Sequence, residues 1–394
     1  MKITAVREVT SALASTVRNA DIAFDTMTAS AVCIVSDVKR DGRPLVGLAF
    51  DSIGRYGHGG LLVERFSDRL LAAHPDDYAS ELYANNLDPN KAWELVMRNE
   101  KAGGHGERAG AVGLLDSALW DLAAKVEDVP LWRLLHEQHG RTAVDVTERR
   151  PRVAVYCSGG HYHAADDVNA LRRELYAAKD AGFTRCKIKI GGAGLTNDMQ
   201  RVEAAVAIMD GEGKLAVDAN AIFHRELAHA YLEALAPLPL AWIEEPVGPL
   251  DYALYAELAA AYLIPIGTGE NLFSAADLRN LLQYGGLNPR RDLLQMDVAL
   301  AYGIPEYLRM LDCIEAAGFS RSQCLPHAGH LFALHTVAGL GLGAHETALD
   351  PNLPIAGFAE DARFEDGYVT LGDVPGVGIE AHRGLYPLFE SIIP

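Results

Sequence analysis

Three carboxylates each close an apolar run: Asp218 in AVDAN, Glu244 in WIEEP and Glu270 in GTGEN. Their intervals are equal, 244 − 218 = 26 and 270 − 244 = 26. One strand-plus-helix unit of a parallel barrel takes roughly that many residues. Three successive strands would then deliver one acid each to the same C-terminal rim, where such barrels carry their active sites. Acids gathered there repel one another unless a cation stands among them. Hard oxygen donors suit Mg²⁺, which keeps positions open for substrate or water. Any one of the three alone reads better as a cap for the next helix; the equal spacing favours the metal. Glu245 would alternate away from Glu244 in a strand, and spacing alone does not choose between them.

One unit earlier, CKIKIGG places Lys187 and Lys189 on one face of a strand that otherwise reads as buried. Lysine is rarely buried without a partner. Crowding by a like charge and a nearby cation would push a lysine below its reference of about 10.4, making it a usable base near neutral pH. Farther on, Asp297 ends a sixth strand and His327 a seventh. By its own context, LPHAGH, His327 reads as an ordinary satisfied histidine, or as a pair with His330. A carboxylate on the adjacent strand changes the weighing, since it can fix the imidazole tautomer and raise its basicity.

The elements that must position these groups follow the same rhythm. Strands are expected at 153–157, 184–190, 214–218, 239–244, 264–268, 292–297, 322–326 and 344–348, with Ala- and Leu-rich helices between them, such as 166–181, 223–235 and 304–317. Eight strands alternating with helices over about 200 residues fit a (β/α) barrel better than a doubly wound sheet. Before it, 27–38 and 45–51 form a hairpin about Asp41-Gly42, 108–126 is a strong helix, and the polar 141–152 reads as a linker. After it, 363–371 reads as a strand pair that returns to the N-terminal module. Gly104-His-Gly106-Glu-Arg-Ala109 matches a dinucleotide fingerprint, but the segment before it reads as helix where that motif needs a strand, so dinucleotide binding is rejected.

Composition bounds the partners. A net charge of −18 without a long basic run argues against nucleic acid and anionic membranes, while leaving a locally positive site for a small anion possible. Five cysteines (33, 157, 186, 313 and 324) form no CxxC pair and read as reduced thiols of a cytoplasmic protein. MKITAVREVTSA lacks the apolar run of a signal peptide, and no stretch approaches membrane-spanning length.

In order, KIK, VDAN, WIEEP, GTGEN, Asp297 and His327 resemble the enolase superfamily, mandelate racemase subgroup, over essentially the whole chain. The resemblance implies an α/β fold: a modified (β/α)7β TIM-type barrel with an α+β capping domain. The implied division is 1–140 as cap, 141–152 as linker, 153–350 as barrel and 351–394 as a segment returning to the cap. It also implies Mg²⁺ on Asp218, Glu244 and Glu270, Lys189 as one acid/base, and His327 with Asp297 as the other, around an ene-diolate. KAGGHGERAG, YGGLNPRRDLLQMDVALAYGIPEY and PHAGHLFALHTVAGLGLGAHE are most similar to the D-tartrate dehydratases of that subgroup. The expected activity is therefore dehydration of D-tartrate or a related acid sugar to a 2-keto acid, by a homo-oligomer. Lys187, Lys101, Asn220 and Glu346 are expected at the substrate. Asn19 and Arg55 are expected there from the cap loops 16–26 and 51–60, which would form a lid. The pattern departs from the family at His345, at GGHYH after the first barrel strand and in the length of 141–152. Racemisation or epimerisation of a hydroxy acid stays open, as does a barrel that binds ligand without turnover.

Overall fold

The computed structural model describes all residues except 14, 16, 17, 141–149, 164, 165, 351, 352, 354 and 355. Most of the anticipated linker therefore lies outside the described residues.

The cap begins with an antiparallel sheet of β1 (Ile3–Ala12), β2 (Thr28–Arg40) and β3 (Arg43–Phe50), paired in that order. β2 and β3 meet at Asp41 and Gly42, both at positive φ (51° and 77°), which is the backbone of a two-residue hairpin turn. The helix Glu107–Val126 covers this sheet and is buried along nearly its whole length. It approaches so closely at Gly47 that a Cβ there would lie 2.0 Å from the Ala118 carbonyl oxygen, so only glycine fits. The GHGERA stretch opens that helix after turns and loop, not after a strand.

The barrel follows as parallel neighbours β4 (Arg152–Gly159), β5 (Cys186–Lys189), β6 (Leu215–Asp218), β7 (Leu240–Glu244), β8 (Ile266–Thr268) and β9 (Leu293–Leu294). β10 (His345–Thr347) pairs in parallel with β4 and closes the ring. The expected seventh strand shrinks to a bridge between Cys324 and Leu294. Residues Arg321–Gln323 instead form a 3₁₀ turn, whose Ser320–Gln323 capping box takes up the start of the strand. The Gly343 amide still donates to the Cys324 carbonyl at 2.9 Å, carrying the ladder across to the eighth position. Tyr156, Ala216, Trp242, Leu325 and Ala344 pack together inside the ring. Helices Asp167–Asp180, Leu195–Met209, Arg225–Leu235, Tyr252–Ala261, Ala275–Tyr284, Ile304–Ala316 and Leu331–Leu340 occupy the connections.

The C-terminal segment divides between the two parts. β11 (Arg363–Glu365) and β12 (Tyr368–Thr370) form the expected pair, but β12 joins β4 of the barrel rather than the cap. Beyond it the chain does return to the cap: Gly376 bridges Pro130, Glu380 meets Lys125, and Arg7 donates to the Ile392 carbonyl. Among the described residues no helix is long and apolar enough to cross a membrane, and all five cysteines are free.

Candidate active site at the barrel mouth

Parallel register sets Lys189 beside Asp218, and Asp218 beside Glu244, so β5, β6 and β7 end flush at one rim. Lys187, Asp218 and Glu244 are each 1% exposed. Lys187 Nζ donates to Glu244, lies 3.2 and 3.3 Å from the two Glu346 oxygens, and is 3.6 Å from Asp218. Lys189 Nζ donates to Asp218 at 2.5 Å. The other Glu244 oxygen accepts from Trp242 Nε1 at 2.9 Å and Gln295 Nε2 at 2.5 Å. The two ammonium groups thus supply the positive charge among the acids. In this arrangement no three carboxylate, imidazole or thiol groups among the described residues converge on a metal-sized point.

The protein's own charges move the lysines opposite to expectation. Burial pushes Lys189 down, but Asp218 outweighs it and holds the ammonium above its ordinary range. Lys187 is likewise raised: burial opposes the charge, and Glu244 and Glu346 restore it.

Glu245 has a left-handed backbone (φ 35°), which interrupts the strand alternation after Glu244. Its carboxylate lines the cavity with Glu270 and is held by Asn271 Nδ2 at 2.8 and 3.0 Å. Burial and the Glu270 charge raise it well above the carboxylate range, while burial brings Glu244 up to about 7 despite Lys187. Asn220, also left-handed (φ 48°), receives no hydrogen bond at its buried Oδ1 among the described residues, although its amide contacts Asp218.

These residues fit a divalent cation. Asp218, Glu244, Glu245 and Glu270 are all hard oxygen donors at neighbouring strand ends. Glu244 and Glu245 are driven toward neutrality by burial and by the neighbouring carboxylates, a strain that a bound cation relieves.

On the far side, His327 Nδ1 faces Asp297 Oδ2 at 3.1 Å, and its Nε2 lies 3.7 Å from Glu270. Burial works against the imidazolium, but Glu270 and Asp297 lift it to about 9. Asp297 is fully buried and also accepts from the Ala299 and Leu300 amides at 2.8 and 3.2 Å, with His330 Nε2 at 3.4 Å. β9 stops at Leu294, so Asp297 is fixed by these bonds rather than by the sheet.

A cavity of about 880 Å³, within the usual size of ligand sites, lies over these groups, with Asp218, Glu244 and Asp297 behind its lining. Lys187, Lys189, Asn220, Glu270, His327 and Glu346 line it from the barrel, and Asn19 and Arg55 from the cap. Asn19 accepts from the Asp21 and Ile22 amides, which shapes its loop, and Arg55 donates to Asn271 and lies over the Phe273 ring. Lys101 is not brought in. It is exposed in the loop before Glu107–Val126, with its carbonyl accepting from Arg108.

Sequence reasoning missed several contributors. His161, in GGHYH, lines the cavity and packs edge-on against Phe24 of the cap, with ring centroids 6.5 Å apart. Burial and the Lys189 charge lower it to about 3. The signal was in view, a histidine pair after the first barrel strand. Ser52, which donates to Asp297, and Asn271 carried none beyond their places next to Asp51 and Glu270.

Residues 170–384 match the family described as "Enolase C-terminal domain-like". The chain is 28% identical over 359 residues to an L-talarate/galactarate dehydratase of Salmonella typhimurium, covering 89% of this chain and 81% of that one. It is 27% identical over 334 residues to an arabinonate dehydratase of Saccharolobus solfataricus, covering 83% and 82%. Among solved structures, a Streptomyces coelicolor racemase with bound magnesium superposes with a TM-score of 0.76 at 25% identity, covering 95% of this chain and 96% of that one.

Proposed function

This chain belongs to the enolase C-terminal domain-like family, and from that premise we propose that it is a Mg²⁺-dependent dehydratase of acid sugars. The observation that carries the reading is the flanking of one acid-lined cavity by two different proton-transfer groups, Lys189 and the His327–Asp297 pair. The relatives named for talarate, galactarate and arabinonate support the substrate class.

Asp218, Glu244 and Glu270 would hold the metal, with Glu245 beside them. When bound there, Mg²⁺ supplies the positive charge that stabilises the enolic form of a 2-hydroxy acid. Lys187 faces the substrate carboxylate. Lys189 takes the α-proton in its neutral form, which would become accessible when a cation shares the Asp218 charge that otherwise holds its proton. His327, protonated and aligned by Asp297, donates to the β-hydroxyl as its carbon–oxygen bond breaks, and water leaves. The resulting enol takes a proton at the β-carbon and becomes a 2-keto acid. Asn220, with its open acceptor, and Glu346 contact substrate hydroxyls. D-tartrate, a four-carbon acid of this class, would give oxaloacetate.

The division at 1–140, 141–152, 153–350 and 351–394, the loops 16–26 and 51–60 as lid, homo-oligomeric assembly and a cytoplasmic place belong to the same proposal. Lys101 is given no part at the site of its own chain.

The test is a panel of diastereomeric acid sugars, D-tartrate included, incubated with Mg²⁺ in D₂O. Formation of a 2-keto acid supports dehydration. Deuterated substrate epimers without keto acid would replace it with racemisation, which the two proton-transfer groups and the solved racemase make the second reading. Neither product nor exchange on any member, with metal bound, would leave a ligand-binding barrel.

A further inference from the structure

The turn after β3 touches the barrel at two points. Ser52 Oγ donates to Asp297 Oδ2, across 245 residues of sequence. That is the oxygen that faces His327 Nδ1. Ser52 is 3% exposed and Asp297 fully buried, so water does not compete for the bond. Three residues on, Arg55 donates to Asn271, whose amide holds the Glu245 carboxylate. The turn itself is anchored in the cap. Asp51 accepts from the Ser30 amide at 2.7 Å and meets His58 at 2.8 Å. Ile53, Gly54 and Arg55 line the cavity between the two contacts.

Asp297 has more partners than its two oxygens readily satisfy: two backbone amides and His330 on Oδ1, Ser52 and His327 on Oδ2. The Oδ1 bonds fix the carboxyl group along its own loop. Among the described residues Ser52 is the one partner from the cap, and with it the Oδ2 lone pairs have a defined division between hydroxyl and imidazole.

We propose that Ser52 is a positioning residue for the acid/base pair: through Asp297 it sets the orientation of His327, so that the cap must be docked for the proton-donating half of the reaction. The proposal rests on the dehydratase reading for its kinetic consequence, but not for its geometric one. Ser52 touches no reacting atom. Its removal should impair the half-reaction that uses His327 and spare the one that uses Lys189.

The experiment compares the full-length enzyme with Ser52→Ala and Ser52→Thr, the second retaining the hydroxyl. With an acid sugar found to be turned over, keto-acid formation and exchange of the α-proton with D₂O are measured side by side. Ser52→Ala is expected to lower kcat for dehydration about 10- to 100-fold. KM should change less than threefold, α-proton exchange should persist near the parent rate, and Ser52→Thr should recover most of the loss. Independently of any substrate, the His327 Nδ1–H resonance is followed by NMR in the metal-loaded protein. It is expected to move in Ser52→Ala and to return toward its parent position in Ser52→Thr. An Ala variant with parental kcat and an unmoved resonance overturns the proposal. So does an equal loss of exchange and dehydration with a rise in KM, which would mean that Ser52 only seats the cap. A panel without turnover overturns the dehydratase reading alone, and the resonance still decides the role of Ser52.

Discussion

The molecule buries lysine in two places, and the surroundings make them different things. In the cap, Lys125 meets Asp121 and Glu380 at 2.6 Å each and the Val46 carbonyl at 3.2 Å. The Asp121 oxygens also accept from the Leu48 and Val377 amides at 2.8 Å. Each acid of that cluster holds the ammonium group directly, and the cluster ties β3, the long helix and the C-terminal segment together. At the barrel mouth, Lys187 and Lys189 meet Asp218, Glu244 and Glu346, while Glu245 and Glu270 crowd one another nearby, so five acids share two ammonium groups where the cap cluster has two acids to one. The mouth opens on a cavity of about 880 Å³, whereas the Lys125 cluster lies outside its lining. A buried lysine is therefore not a sign of catalysis in itself. Unbalanced charge beside a place for a ligand is what separates a site from a brace.

Substitution of each lysine by methionine sharpens the contrast most. Lys189→Met keeps the methylenes and loses the proton acceptor. Keto-acid formation should fall by about 10³-fold or more while the fold persists by circular dichroism. Substantial residual dehydration would remove Lys189 from its role. Exhaustive chelation should have a comparable effect, abolishing turnover and recovering it on return of Mg²⁺; an enzyme indifferent to chelation would break the reading of the acid surplus. Lys125→Met should do the reverse. It strands the fully buried Asp121, whose ammonium partner is lost, so denaturant unfolding should show a loss of about 3–5 kcal/mol. The kcat of the folded fraction at low temperature should be unchanged.

The smallest effect concerns a second cap cluster. His58 is buried against Asp51 at 2.8 Å, on its own turn, and Glu107 at 3.2 Å, on the long helix; Arg55 acts on Glu107 from the same turn. Burial opposes the imidazolium, but the two carboxylates lift it from 6.5 to about 9. A raised folded-state value means that the stabilisation is full below about pH 6.5 and is lost as pH rises through about 9. Linkage puts the change at about 3 kcal/mol. Unfolding midpoints measured between pH 6 and 10 should fall over that window, and His58→Gln should flatten the curve.

Much of the barrel was legible because its code is local. Apolar runs ending in acids at a 26-residue interval located β6, β7 and the end after β8, and Asp41-Gly42 announced its hairpin. The seventh strand was misread because a capped 3₁₀ turn and a strand draw on the same short polar-to-apolar stretch. The C-terminal hairpin showed its own pairing but not its neighbour, since nothing in RFEDGYVTL says which sheet edge is open. Lys101 looked like a substrate contact by likeness of its segment, yet it stands outside the cavity of its own chain.

What the chain determined by itself is the order and period of its chemistry: which acids, amines and imidazole arrive at the rim. Side-chain alternation and the length of a strand–helix unit are properties of a few dozen residues at most. Tertiary structure alone decided which charges go unmatched, which of two adjacent glutamates turns into the cavity, and that Ser52 reaches Asp297. These depend on strands and domains brought together from 26 to 245 residues apart, and on burial, which no single segment possesses.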